Sequence, residues 1–432
     1  MTKKSELIWV LVLFALVAGL GLAFQKPLTY HDGQGWDGVA YVQMAQQLVH
    51  HERPSAIGPF AFRLGTPALV AWLFPNHILL GFRLVNLAAC FLSVILLTLW
   101  LRRFVESPWL RLALIAAFLT QWHAPLRFTA HYAAYTDPWL FVFVLGALLR
   151  THPNPPASYP PASYLGILPQ GREGRRSEER TKPGWVRVGG YEAGGFGWGL
   201  ALLCFVGALF RESVVVVPLA VAIASRGRQW PALLAGVLGV AATHALASQT
   251  DGYSFARTVG QWAYNKPLPV YLHGLFIAFG PALVLPLFFG RTALAWLKQQ
   301  PVLTWMLTVF LVLGWVGGSD TERIVYWAMP IVYALFGVIL EKHALPKSFY
   351  IVLIALQLLS HRVFWTLPDF PSTVHSSLPL FTPLTSACPY PDLWSFQAER
   401  RIQLVALLEY LLVTFSLWLW LRYSPSLGQE KK

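Results

Sequence analysis

Residues 7–24, LIWVLVLFALVAGLGLAF, run without a single charged side chain. A run of that length spans the hydrocarbon core of a bilayer as a helix. Hydrocarbon offers the backbone amides no other partner, so the run is predicted to be α-helical. Comparable apolar stretches recur at 77–101, 108–122, 132–150, 196–210, 212–225, 230–248, 270–290, 301–317, 324–340, 348–365 and 403–421. Composition agrees, since 56% of residues are hydrophobic and 12% charged, against about 25% charged in soluble domains. So few charges cannot cover a water-facing surface. The expectation is an all-α polytopic membrane protein of about 12 transmembrane helices. The pair at 196–225 is short on either side of Arg211-Glu212, and reads either as two tilted spans or as a hairpin dipping from one face.

A net charge of +13 over 432 residues could suggest nucleic acid. The Lys and Arg residues lie at the ends of the apolar runs, which is how membrane topology is encoded, and a nucleic-acid partner is rejected. With the N-terminus cytoplasmic and twelve alternating spans, most of the 33 Lys and Arg residues fall on the inner side, including Lys3, Lys4, Arg102, Arg103, Arg111, Arg150, Arg226 and Arg228. This predicts a multi-pass protein of the inner (plasma) membrane with both termini cytoplasmic. A cleaved leader is the other reading of residues 1–24, with Lys3 and Lys4 as its basic start, though the apolar run is long for one. Cys90, Cys204 and Cys388 show no metal spacing and form no disulfide framework.

The chain divides into an N-terminal membrane part, 1–150, a linker, 151–194, and a C-terminal membrane part, 195–432. The linker (PNPPASYPPASY, then GREGRRSEER) is rich in Pro, Gly, Ser and Arg and lacks apolar periodicity, which predicts a disordered cytoplasmic loop. It carries neither GxxxxGK[ST] nor GxGxxG, so no nucleotide site is expected. On the outer side lie 25–76, 249–269 and 366–402. The first should contain interfacial helices: 38–50, with Val42, Ala45 and Val49 on one face, and 64–75, apolar but too short to span.

Candidate chemistry concentrates in that first outer loop. Asp32 and Asp37 sit in His31-Asp32-Gly33-Gln34-Gly35-Trp36-Asp37-Gly38, where glycines would let backbone approach a ligand. A carboxylate there can take a proton from a hydroxyl or hold a divalent cation. The plainer readings are an N-cap for Asp37 and an Asp-Gly turn for Asp32. Other ionisable residues fall on the same side: His123, Arg127, His131, Asp137, Arg211, Glu212, Asp320, Glu322 and Arg323. Charges at membrane depth are costly, and they are retained for function or in pairs. The planar guanidinium grips phosphate through two hydrogen bonds, so Arg63, Arg211 and Arg323 are candidate phosphate ligands. The plainer readings are that Arg211 pairs with a carboxylate to hold helices together and that Arg323 caps an interface. Glu409, in the middle of 403–421, reads as a structural bond or a proton relay. Trp109, Trp122, Trp262, Tyr264, Trp365 and Trp394 read as an interfacial belt, whereas Trp36 and Tyr41 adjoin the acidic loop.

The order of an N-terminal span, WDGxxYxxxA (Trp36-Asp37-Gly38-Val39-Ala40-Tyr41-Val42-Gln43-Met44-Ala45) and PFxxRxxxP (Pro59-Phe60-Ala61-Phe62-Arg63-Leu64-Gly65-Thr66-Pro67) resembles the GT-C superfamily of multi-spanning glycosyltransferases, especially bacterial mannosyltransferase and RgtA-like groups. Arg211-Glu212-Ser213 and Asp320-Thr321-Glu322-Arg323 look like further pieces of such proteins. The resemblance extends over the chain in layout and is specific over residues 30–67. It implies a polyprenyl-phosphate-linked sugar as donor, an envelope glycan, lipid or protein as acceptor, catalysis at the outer face, and an acidic residue of the first outer loop as base. In that superfamily the acidic motif is often two carboxylates adjacent or one apart; here four residues separate them. The base is Asp37 or Asp32, with Asp37 preferred for its place in the motif. Arg63, Arg211 and Arg323 would bind the donor phosphate, with Glu212, Asp320, Tyr41 and His131 in support. No cofactor is required, and metal use varies in the superfamily, so a divalent ion stays open. A polytopic transporter or lipid flippase is the rival class; transporters often carry two related halves, and no such repeat is visible. A non-catalytic assembly scaffold is the third.

Overall fold

The computed structural model describes residues 2–152 except Trp122, 197–363 except Ala344, 366–370 except Pro368, and 400–423. Most of the 151–194 linker, Cys388, Trp365 and Trp394 lie outside the described residues. Among the described residues the protein is all-helical apart from one two-residue strand pair, as its apolar runs lead one to expect. The N-terminal part comprises α1 (Lys3–Phe24), α2 (Asp37–Val49), α3 (Gly65–Leu73), α4 (Ile78–Leu101), α5 (Pro108–Thr120), α6 (Pro125–His131) and α7 (Asp137–Thr151). The C-terminal part comprises α8 (Gly197–Phe210), α9 (Val216–Ala224), α10 (Trp230–Leu246), α11 (Phe255–Asn265), α12 (Leu268–Phe279), α13 (Val284–Phe288), α14 (Gly290–Gln299), α15 (Pro301–Val316), α16 (Thr321–Tyr326), α17 (Met329–Lys342), α18 (Lys347–Ser360) and α19 (Arg400–Tyr423).

Each of the twelve apolar runs contains a helix, with turns or coil at places such as 132–136 and 327–328. Among the described residues four helices are long and apolar enough to cross a membrane: Lys3–Phe24, Ile78–Leu101, Leu268–Phe288 and Gln403–Tyr423. Counting the pair Gly290–Gln299 and Pro301–Val316 as one span makes five, although that pair bends by 114°. The remaining runs are interrupted. α7 has 15 residues, a rise of about 22 Å against a hydrocarbon core of about 30 Å. Even Leu268–Phe288, counted among the four, is not one regular helix: Pro281 follows Gly280, whose φ is +62°, and the segment forms three helical pieces. These helices fit a membrane protein. Outward-facing leucines on α1 and α19, such as Leu16, Leu20, Leu408 and Leu412, are exposed, as lipid-facing positions would be.

Contacts sort into two opposite ends. At one end Glu6 of α1, buried, receives Arg102 at 2.9 Å from the end of α4 and Arg111 at 2.5 Å from the first turn of α5. Nearby, Arg103 donates to the Leu149 carbonyl at 2.9 Å and the Ser107 amide to Glu341 at 2.5 Å. At the other end the start of the 25–76 segment meets residues far along the chain. Gln25 exchanges hydrogen bonds with the Leu367 backbone at 3.0 and 2.7 Å, and Thr29 donates to Asp369 through both amide and hydroxyl. A short parallel pair, β1 (Ser55–Ala56) with β2 (Ser248–Gln249), ties the same segment to the connection after α10.

Within that segment α2 is more enclosed than an interfacial helix would be. Tyr41, Val42, Met44 and Ala45 are buried, while Val49 is half-buried. α3 suits an interfacial position, with Trp72 and Leu73 exposed and Thr66, Pro67 and Val70 buried. α11 has no buried residue.

Candidate functional site

At the second end, α2, α7, α8 and α16 bring charged groups from four distant parts of the chain together. Asp137 is the hub. It occupies the first position of α7, directly before Pro138, where the unpaired amides of a helix start favour negative charge. It is wholly buried. Its Oδ2 accepts from Tyr135 Oη at 2.7 Å, Arg323 Nε at 2.9 Å and Trp327 Nε1 at 3.3 Å. Its Oδ1 is paired with Arg211, which also donates to Thr136 Oγ1 at 3.3 Å. The Arg211 guanidinium lies over the Trp327 ring and that of Arg323 over the Tyr135 ring.

Arg323 extends this hub toward the acidic loop. Its Nη1 donates to Asp37 at 3.3 Å and to Asp320 at 3.2 Å. Asp37 is the first residue of α2, with Trp36 rather than Asp37 in the N-cap position, and its carboxylate accepts from Arg323. Arg63 forms a second centre. Its Nε and Nη2 grip both oxygens of Glu212, the closest contact being 2.7 Å, while Nη1 donates to Tyr41 Oη at 2.9 Å. Burial works against the charge on Arg63, yet Glu212 and Tyr41 hold its pKa well above the usual arginine value. At Asp320 burial raises the pKa, Arg323 opposes it, and the nearby Asp37 and Asp137 carboxylates raise it further.

The site therefore holds four carboxylates, Asp37, Asp137, Glu212 and Asp320, against three guanidiniums. Every one of Arg63, Arg211 and Arg323 is bonded to a carboxylate. A phosphate approaching this set would meet a net negative site, and the geometry makes these arginines holders of carboxylates. What the arrangement offers chemistry is a positioned carboxylate. Asp37 keeps 22% of its side-chain surface open while Asp137 keeps 1%.

Two proposed members stand apart. Asp32 is exposed, in a left-handed turn with His31 and Gly33, and makes no side-chain hydrogen bond or ion pair among the described residues; its Asp-Gly turn is what the structure displays. His131 is buried against the end of α1, its Nδ1 within 3.0 Å of the Lys26 carbonyl and 3.3 Å of Gln25 Nε2. Glycines of the acidic loop admit a side chain of the protein itself. A Cβ on Gly38 would sit 2.7 Å from Ala134 Cβ and 2.9 Å from the Tyr132 ring, and Tyr132 Oη accepts from the Gly38 amide. Trp36 packs among Tyr30, Tyr132 and Phe370. Among the described residues no three of His, Cys, Asp and Glu are grouped as ligands for one cation.

Reading the sequence alone missed Tyr135, Thr136, Trp327 and Lys266. Trp327 follows Arg323 by one helical turn, a spacing that places both on one face, and Tyr135 and Thr136 immediately precede the flagged Asp137. Lys266 carried no such signal; its Nζ donates to the Gly314 and Gly318 carbonyls and to Thr321 Oγ1 at 2.6–2.8 Å. It anchors the end of α15 beside the start of α16.

No family model matches the chain, and no curated protein or solved structure matches it either.

Proposed function

We propose that this protein is a membrane glycosyltransferase that moves a sugar from a polyprenyl-phosphate carrier to an acceptor hydroxyl at the outer face, with Asp37 as general base. The reading keeps the twelve-segment, N-in and C-in topology of an inner-membrane protein, in which the carboxylate–arginine site and the Glu6–Arg102–Arg111 clasp lie on opposite sides. The observation that carries it is the meeting of Asp37 from the first loop with Arg323 and Asp137 at one end of the fold. Buried Asp137 holds Arg323, and Arg323 in turn holds Asp37, whose side chain keeps 22% of its surface open. Such preorganisation is what a proton-accepting carboxylate needs.

In the proposed reaction Asp37 takes the proton of the acceptor hydroxyl as its oxygen attacks the anomeric carbon. The bond from that carbon to the carrier phosphate breaks and its electrons leave on the phosphate, with inversion at the sugar. The residue resemblance over 30–67 supports the sugar class.

The test is Asp37→Asn in reconstituted membranes with a labelled polyprenyl-phospho-sugar. Transfer should fall about 10²- to 10⁴-fold, the span of general-base contributions. Undiminished transfer removes Asp37 from the role. Passage of labelled carrier across the bilayer with no new glycosidic bond would instead favour the flippase class.

A further inference from the structure

Arg63, Arg211 and Arg323 bond to carboxylates at one end of the fold, and Arg102 and Arg111 bond to Glu6 at the other. Arg83 differs from all five. It is half-buried on α4, its Nε is enclosed, and among the described residues its guanidinium makes no hydrogen bond or ion pair. It is also the sole charged residue of α4. A guanidinium carries five donors, and a charge placed in a membrane helix needs a counterpart.

The depth of Arg83 narrows the choice of counterpart. Residues 84–101 carry no charge. As a helix they rise about 27 Å, close to a hydrocarbon thickness of about 30 Å. Arg102 follows that run at the Glu6 end, and Arg83 precedes it at the opposite end. One turn before Arg83, Leu79 lies against the acidic loop: a Cβ on Gly33 would meet Leu79 Cδ2 at 3.3 Å. Arg83 therefore stands at the boundary of the hydrocarbon, where long cationic side chains meet lipid headgroups.

The helix face that continues inward from Arg83 is apolar and open. Leu84, Ala88, Phe91 and Leu92 recur at helical spacing along one side of α4 and are exposed, a single stripe by the 3.6-residue repeat. α1 leans on this stripe where the Phe14 and Phe91 rings meet edge to face, 5.4 Å apart. A cation at the headgroup level above an apolar track matches one amphiphile, with a phosphate head and a hydrocarbon tail.

We propose that Arg83 is a binding site for a phospholipid of the surrounding leaflet, which sets its phosphate on the guanidinium and one acyl chain along the Leu84–Leu92 stripe beside α1. A planar guanidinium takes a phosphate through two parallel hydrogen bonds. Asp32, in the adjoining loop, is exposed and makes no ion pair among the described residues. The source is a phospholipid of the bilayer because the stripe is open on the outside of α4. The inner side of the helix belongs to the candidate site: Asn86 there donates to the carbonyls of Ala133 and Tyr135. The assignment holds whatever reaction the Asp37 site performs.

The test is native mass spectrometry of the purified full chain in detergent, titrated with phosphatidylglycerol, with diacylglycerol of the same chains and farnesyl phosphate as comparison ligands. The tightest phosphatidylglycerol site of the parent should weaken about tenfold or more in Arg83→Gln, as loss of a hydrogen-bonded charge does. Diacylglycerol should bind the parent at least about tenfold more weakly than phosphatidylglycerol, for the same reason. Leu80 is exposed one turn before Arg83; Leu80→Glu supplies an internal partner at i,i+3 and should weaken phosphatidylglycerol as Arg83→Gln does, so the site stays testable should Arg83→Gln fail to fold. Unchanged affinity in these variants, or diacylglycerol binding as tightly as phosphatidylglycerol, overturns the site. Arg83-dependent binding of farnesyl phosphate without any of phosphatidylglycerol overturns the phospholipid assignment in favour of a carrier lipid.

Discussion

Replacing Asp137 by Ala should be among the most damaging single changes outside the apolar core. Asp137 is wholly buried, is ion-paired with Arg211, and accepts from Arg323, Tyr135 and Trp327. Its removal strands the Arg211 guanidinium, whose side chain is 2% exposed, and leaves Arg323 without its innermost partner. Breaking a buried pair by deleting one member costs about 3–5 kcal/mol. At about 2–4 °C per kcal/mol for a chain of a few hundred residues, the midpoint of thermal unfolding in detergent should fall on the order of 10 °C. Tryptophan fluorescence reads that transition directly, because Trp327 lies against the site. Asp137→Asn keeps the shape but loses the charge, and should fall between Asp137→Ala and the parent. Arg211→Met placed on top of Asp137→Ala should recover part of the loss by removing the stranded charge. Asp320→Ala is the contrast, since a carboxylate whose side chain is 39% exposed should cost under about 1 kcal/mol. If Asp137→Ala melted within a degree or two of the parent, or if Arg211→Met made it worse, the hub would not be holding the site together.

At the opposite end, Glu6→Ala leaves Arg102 and Arg111 without their carboxylate; a loss of about 3–5 kcal/mol should appear as faster tryptic cleavage near α1. Gly38→Ala drives a methyl into Ala134 and Tyr132, and overpacking of this kind costs about 1–3 kcal/mol, so a lowered melting midpoint is expected. Lys266→Met strands two carbonyls and a hydroxyl, each costing about 1–3 kcal/mol, and should raise hydrogen exchange across 314–323. Burial opposes the charge on Asp369, but two hydrogen bonds from Thr29 hold its pKa below the usual carboxylate value. A carboxylate depressed in the folded state adds stability above its unfolded pKa of about 3.9 and loses it as pH falls through the folded value. Hydrogen exchange at Thr29 should therefore rise on acidification below about pH 4, and not in Asp369→Asn.

The apolar runs alone determined that this chain is helical. An apolar run long enough to span hydrocarbon satisfies its amides within itself only as a helix, and described helices follow nearly every predicted run to within a few residues. Sequence also determined which charges share an end, because alternating runs carry their connections to alternate sides. Asp37, Arg63, Arg211, Glu212, Asp320 and Arg323 were legible on that basis. Three things required the tertiary structure. Helix continuity was one, since α7 begins only at Asp137 and the Leu268–Phe288 segment is broken at Gly280-Pro281, although hydropathy reads both runs as continuous. The partner of each arginine was another: Arg323 reaches Asp37 across 286 positions and Arg63 reaches Glu212 across 149, and no local spacing encodes such pairings. The third was which acid of the first loop enters the site. Asp32 and Asp37 are alike in composition and context, but Asp32 lies in a left-handed turn open to solvent, whereas Asp37 opens a helix whose packing against the rest of the first loop carries its carboxylate to Arg323.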